Sequence, residues 1–279
     1  MNDASLDGLP VNPITFEDEA NPSSQIRDIS YLLVRRFLHQ IGSDLIDQHP
    51  PIDEIQLYRL LNLVTRTNGH EVPRNVALLF FTEDPDKFFR GTRTEVVRFR
   101  DEGDVLQEQV FRGPVSYQIR TTLQYLESFT GIILRKVPGQ AEAEKIVAYP
   151  YPAMEEALVN AFYHRSYETP PEPVKVYLYP DRMEIISYPG PVPGIQPRHF
   201  QPGESLPPVP ARNRRIGDFL KELQLAERRG TGVPKIQRQM RQNGSPEARF
   251  DFDEERTYFR VILPVHPLYR AAAEGLPLS

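Results

Sequence analysis

The chain has 279 residues, a formal net charge of -5, and 39% hydrophobic and 25% charged residues, a balance that excludes a wholly disordered chain and a fibrous repeat. Cysteine is absent, so disulfides, zinc–thiolate sites and iron–sulfur clusters are excluded, and the reducing cytoplasm is the natural setting. The acidic balance offers no overall basic face for duplex DNA, and 28 prolines, about twice the usual ~5%, predict stiff loops and short elements.

Residues 1–24 are polar, acidic and proline-containing and are expected to form a flexible arm. Met1 to Ser5 lack the basic start of a standard signal peptide, and no run approaches the ~18 apolar residues of a membrane span. Ile26, Ile29, Leu33, Phe37 and Ile41 predict a helix that stops at Gly42. Leu57, Leu60, Leu61 and Val64 predict a second over about 53–65, and Asn68-Gly69 marks a turn. The apolar run Val76–Phe81 reads as a buried strand, and Thr94–Arg100 as another. Val115, Ile119, Leu123 and Leu126 give an amphipathic helix, after which the polar stretch 138–144 suggests a boundary.

The expected division is therefore a mixed α/β domain over 25–140, a second domain over 141–268, and a tail over 269–279. In the second domain Pro152 opens a helix to about Tyr163. Val174–Tyr179 and Met183–Ser187 form a hairpin around Pro180-Asp181-Arg182. Residues 189–210 are too rich in proline and glycine for regular structure. Ile216, Phe219, Leu220 and Leu223 predict a helix, Val233, Ile236 and Met240 another, and Phe250–Phe252 with Tyr258–Leu263 a closing hairpin.

Two places could carry chemistry. Glu156, Asn160 and His164 fall four residues apart, so a carboxylate, a carboxamide and an imidazole share one helix face. A carboxylate can take a proton from an attacking water, and a carboxamide oxygen suits Mg²⁺. Spacing alone is equally met by a solvated polar face, which is the commoner case. Gly230-Thr231-Gly232 lies between two helices, where glycine lets backbone approach an anion at a helix N-terminus, or simply caps the preceding helix. Arg212, Arg214, Arg215, Arg228 and Arg229 make this region locally basic. No G-x-x-x-x-G-K-[ST] phosphate loop and no G-x-S-x-G elbow occurs.

These segments resemble, in order, the RecG-like, Schlafen-associated ATP-binding family. Glu156-Ala157-Leu158-Val159-Asn160-Ala161 with His164-Arg165-Ser166-Tyr167 is similar to its E-A-L-V-N-A-x-x-H-R-D-Y helix. Ser187-Tyr188-Pro189-Gly190 stands where the family has a strand ending in Asn-Pro-Gly, and Arg212-Asn213 matches its Arg-Asn pair. Glu227 to Val233 matches E-x-x-G-T-G-[IV], and Tyr258–Pro264 looks like the closing strand. In the first half, Asn75–Phe81 with Pro85 and Phe88-Phe89 resembles N-A-A-L-L-L-F-G-x-x-P-x-x-F.

The resemblance implies an α+β fold, with a GHKL-like α/β sandwich over 141–268 that holds ATP and Mg²⁺. It makes Glu156 the general base and Asn160 the metal ligand. Gly230, Thr231 and Gly232 would contact phosphates, and Gly190 would sit under adenine. His164, Arg165, Tyr188, Arg212 and Asn213 would complete the nucleotide site, under a lid of roughly 191–212. The chain departs from the pattern at Tyr188, which replaces the family's asparagine and the acidic adenine acceptor of GHKL enzymes. It departs again at Ser166, and at Pro191, which stiffens the turn. No trace of the family's N-terminal AlbA strand–turn is present, and without a phosphate loop the chain is no helicase motor. The implied function is a weak Mg-dependent ATPase or nucleotide switch of regulatory, transcriptional character, contacting nucleic acid only indirectly. The alternative is a non-catalytic scaffold with a protein partner or a second copy.

Overall fold

The computed structural model describes residues 15–48, 51–136, 139, 141–201, 204–226 and 232–273. The first periodic segments become α1 (Tyr31–Gln40) and α2 (Glu54–Leu60). Side-chain oxygens of Ser30 and Asp53 cap them, and Gly42, at φ +64°, ends the first. A hairpin follows, β1 (Val64–Thr67) with β2 (His70–Pro73). It turns on Asn68 and Gly69 at φ +50° and +82°, the backbone that a two-residue hairpin loop demands.

The run expected as a buried strand is instead a helix, α3 (Asn75–Phe81). All seven of its residues are buried, and a helix apolar on every side belongs inside a core. Periodicity alone does not separate the two forms in so short a run, but Ala77, Leu78 and Leu79 are strong helix formers. The expected flexible arm is also docked in its described part. Ala20 bridges Arg74, Asn21 Nδ2 donates to Asn75 Oδ1 at 3.0 Å, and Glu17 is fully buried.

The remaining elements are β3 (Thr94–Asp101), β4 (Asp104–Phe111), α4 (Val115–Glu127), β5 (Ile132–Arg135), β6 (Glu144–Val147) and α5 (Tyr151–His164). After them come β7 (Val174–Leu178), β8 (Arg182–Ser187), α6 (Arg214–Glu222), α7 (Gly232–Gln242), β9 (Arg249–Asp251), β10 (Phe259–Pro264) and α8 (Pro267–Ala273). The first residues of the expected tail thus form α8, whose Tyr269 Oη accepts from Gly131 N–H at 3.3 Å.

Six strands form one sheet in the order β4-β3-β7-β8-β10-β9. β3 and β7 pair in parallel and the other neighbours are antiparallel. A parallel pair needs a long crossover, supplied by the stretch from α4 through α5. Val174, Val176 and Leu178 of β7 are buried while Lys175 and Tyr177 between them are half-buried, so one sheet face meets the core. There α5 packs on β8, with α4 and α7 against it. The fold is α+β with a GHKL-like sandwich, as expected.

The expected boundary near residue 140 does not divide this sheet from the first half, because β3 and β4 lie before it. The core crosses it too. Phe219 of α6 stacks on Phe80 at 5.0 Å and tilts against Phe37 at 5.2 Å. Glu17 Oε1 accepts from Arg215 N–H at the start of α6 at 3.1 Å. One cluster of buried apolar residues draws its members from both sides of the expected boundary.

Candidate functional site

α5 buries Ala153, Met154, Ala157, Leu158, Ala161 and Phe162 and turns Glu156, Asn160 and His164 toward a cleft of about 520 Å³. That volume is in the range of small-molecule sites. The cleft lies between α5, the end of β8, the loop over 191–212 and the start of α7. Asn160 Nδ2 donates to Glu156 Oε1 at 3.1 Å. A Cβ placed on Gly232 would lie 2.7 Å from both of these atoms. The residues that spacing alone left ambiguous therefore face the first residue of α7, some seventy positions away. The other Glu156 oxygen, Oε2, pairs with Lys235 Nζ at 3.1 Å, and both side chains are nearly buried. Glu156 thus sits at the positive end of α7, which favours a negative charge.

His164 lies at the mouth with its ring 4.5 Å from that of Tyr163. Enclosure by the surrounding chain, and then the Arg212 charge, lower its pKa to about 4. The residue as a whole is nonetheless exposed, so water moderates that depression; the neutral ring at pH 7 follows in either case.

Of the residues expected to form a nucleotide site, the cleft brings together Glu156, Asn160, His164, Gly190, Arg212 and Gly232. Gly230 and Thr231 lie outside the described residues. Three others turn elsewhere. Arg165 is almost wholly buried and donates to the carbonyls of Gly91 and Glu172 at 3.0 and 2.8 Å. Asn213 donates to the carbonyls of Tyr163 and Arg165 at 2.8 and 2.6 Å, at the open end of α5. The Tyr188 ring lies beside Lys175 Nζ, 5.2 Å from its centroid, and is absent from the cleft wall.

Arg212 spans the mouth, donating to the carbonyls of His164 and Gly190. Gly190 is required on packing grounds: its N–H donates to Arg256 O at 2.7 Å, and a Cβ would lie 2.8 Å from Tyr258 O. Arg256 also donates to the carbonyls of Pro191, Val192 and Ile195 at 3.0, 3.1 and 2.8 Å. Phe200 stacks on Phe250 at 5.3 Å. The expected lid is thus fastened to the β9–β10 hairpin. No local pattern marks Arg256, which stands in a polar turn. Lys235 was visible only as a residue three beyond the glycine segment. A second hollow of about 380 Å³, bounded by α4, the start of α5 and Leu223–Leu225, contains none of the expected site residues.

Polar groups in the cleft wall are few among many apolar ones. Glu156 is the one carboxylate among the described lining residues, and no cluster of three or more His, Cys, Asp or Glu that could hold a metal occurs among the described residues.

Residues 172–263 match a family described as "Putative ATP-dependent DNA helicase recG C-terminal". The match covers Gly190, Arg212 and Gly232 but begins after α5, so Glu156 and Asn160 precede it. Among solved structures, the chain is similar to the DIP2311 protein from Corynebacterium diphtheriae, at 17% identity and a TM-score of 0.67. The likeness covers 91% of this chain and 49% of that one, so it concerns the fold, and this chain spans about half the length of its neighbour. No curated protein sequence matches the chain. No helix among the described residues is long and apolar enough to cross a membrane.

Proposed function

We propose that the cleft binds ATP with Mg²⁺, and that the protein is a nucleotide-dependent regulatory switch with weak hydrolytic activity. The observation that carries this reading is the approach of Gly232 to Glu156 and Asn160. A glycine there leaves room that any Cβ would fill, and it opens a helix of eleven residues whose N-terminal end favours an anion. The match to an ATPase-like family over 172–263 supports it independently.

The donor set fits the metal. Asn160 commits its Nδ2 to Glu156, which leaves its carbonyl oxygen for a hard cation. Mg²⁺ commonly takes only one or two protein oxygens and completes its shell with water and substrate phosphates. Bound so, the ion would neutralise charge on the phosphates. Glu156 would accept the proton of the water that attacks the terminal phosphorus, as the bond to the leaving diphosphate oxygen breaks. The apolar walls, from Val159 on α5 to Phe250 and Val261 of the sheet, would take the base and exclude water. His164, neutral at pH 7, and Arg212 would border the ligand at the mouth.

Isothermal titration with ATP, with and without magnesium, tests the reading. Binding strengthened by magnesium is expected, with phosphate release lost in Glu156→Ala. No heat at millimolar nucleotide would overturn it. One observation favours the scaffold alternative: among the described lining residues no carboxylate besides Glu156 stands ready to accept from the adenine amine. Phosphate release absent from wild type, with a purified partner still co-eluting, would decide for that alternative.

A further inference from the structure

We propose that Lys235 is the residue that distinguishes triphosphate from diphosphate in this cleft, by exchanging the Glu156 carboxylate for the terminal phosphate. The inference rests on the nucleotide reading above and assigns a residue that reading does not use.

Three observations converge on it. The Lys235 ammonium stands 3.1 Å from Glu156 Oε2. It rises from the first turn of α7, whose leading residue touches Glu156 and Asn160. Both side chains of the pair are nearly buried, with relative exposures of 15% for Lys235 and 13% for Glu156, so bulk water screens the attraction only partly. In this state Glu156 holds the place a phosphate would take: an anion at a helix N-terminus, opposite a cation. Both Glu156 oxygens are engaged in this state, Oε1 by Asn160 Nδ2 and Oε2 by the Lys235 ammonium.

A triphosphate carries more charge than one carboxylate, and its terminal group is the part that a diphosphate lacks. Lys235 moving to that group frees Glu156 Oε2, which the ammonium now occupies, to accept a hydrogen bond from the attacking water. One movement therefore couples recognition of the third phosphate to readiness for hydrolysis. Lys235 acts here as a positioning and specificity residue; the proton still goes to Glu156.

The test compares ATP and ADP affinities by titration for wild type, Lys235→Met, Lys235→Arg and Glu156→Gln, after thermal unfolding has verified that each variant folds. Lys235→Met should weaken ATP roughly tenfold to a hundredfold, the worth of one charge-assisted hydrogen bond, while leaving ADP within about twofold. Lys235→Arg should restore much of the ATP preference. Glu156→Gln removes one competitor for the ammonium and should strengthen ATP by about threefold or more while hydrolysis is lost. Equal loss of ATP and ADP in Lys235→Met, or weaker ATP binding in Glu156→Gln, would overturn the proposal with the nucleotide reading intact. Wild type binding neither nucleotide removes that reading, and this inference with it.

Discussion

Asn213 caps the helix that carries Glu156, its Nδ2 donating to the carbonyl oxygen of Arg165 at 2.6 Å and to that of Tyr163 at 2.8 Å. The last carbonyls of a helix have no partner within it, and α5 has no glycine at its end to turn the chain back. A side chain at the foot of the 191–212 loop does this work instead. The loop and the helix are therefore tied at one point, next to the Arg212 contacts with His164 and Gly190. Asn213→Ala leaves two carbonyls unsatisfied in a buried place, at about 1–3 kcal/mol. Urea unfolding should read that loss. Asn213→Asp, which cannot donate and brings a charge against the same carbonyls, should be no better.

The two glycines of the cleft should fail differently when replaced. At Gly190 a Cβ meets backbone, Tyr258 O at 2.8 Å and Arg256 Cα at 3.0 Å. Backbone in a hairpin cannot step aside, so Gly190→Ala should cost about 1–3 kcal/mol of stability. At Gly232 the nearest atoms are side-chain ends, Asn160 Nδ2 and Glu156 Oε1. These can move, and alanine is the better helix former. Gly232→Ala should therefore unfold at a higher urea concentration than Gly190→Ala. It should still lose phosphate release on the order of a hundredfold, the usual result of a ~1 Å misplacement. Similar stability loss in both would mean that Asn160 and Glu156 do not yield, and unchanged phosphate release in Gly232→Ala would count against the close approach.

The residues that carried most in the sequence were those whose local pattern and tertiary place agree. The spacing of 156, 160 and 164 on one helix face became a cleft wall because the opposite face of α5 is apolar. Asn68-Gly69, Gly42 and the strands around Pro180-Asp181-Arg182 were legible because turn chemistry is local. α3 was not, since a fully buried helix and a buried strand are both unbroken apolar runs. The first-half contribution to the sheet was hidden for a related reason: a parallel pairing between β3 and β7, about eighty residues apart, leaves no local trace. Arg165 and Asn213 were placed in the site by their neighbours in the motif. Their roles emerge only from the carbonyls they meet, which come from Gly91, Glu172 and Tyr163.

Acid should weaken the fold through two histidines. His266 is buried beside Arg135, and burial first, then that charge, lowers its pKa. Its Nδ1 accepts from Leu268 N–H at 3.1 Å, a bond that protonation of Nδ1 removes. His164 is lowered in the same direction, but it is exposed and carries the smaller share. In both, the unfolded chain takes a proton first, near pH 6.5, so stability is fully present above that pH. It should fall as pH drops below 6.5. Urea midpoints at pH 7 and 5 read the slope. His266→Asn, which keeps an acceptor but does not titrate, should flatten it, and an unchanged slope would remove His266 as a cause.

Tyr188 offers the sharpest test of what the cleft does with a base. By position it follows Ser187 at the end of β8, where a reader of adenine would stand. Its ring instead lies by Lys175, while its carbonyl accepts from Ser166 N–H at 2.8 Å. The backbone is used for structure and the ring points away from the cavity. Tyr188→Ala should therefore leave ATP affinity within about twofold, since a tenfold change would require ~1.4 kcal/mol of contact that this ring does not make. Tyr188→Asp should gain no preference for adenine over guanine nucleotides, because the carboxylate would take the same outward direction. A tenfold loss in the alanine variant would mean that the ring turns inward when nucleotide binds, and the cavity would then need a different account of its floor.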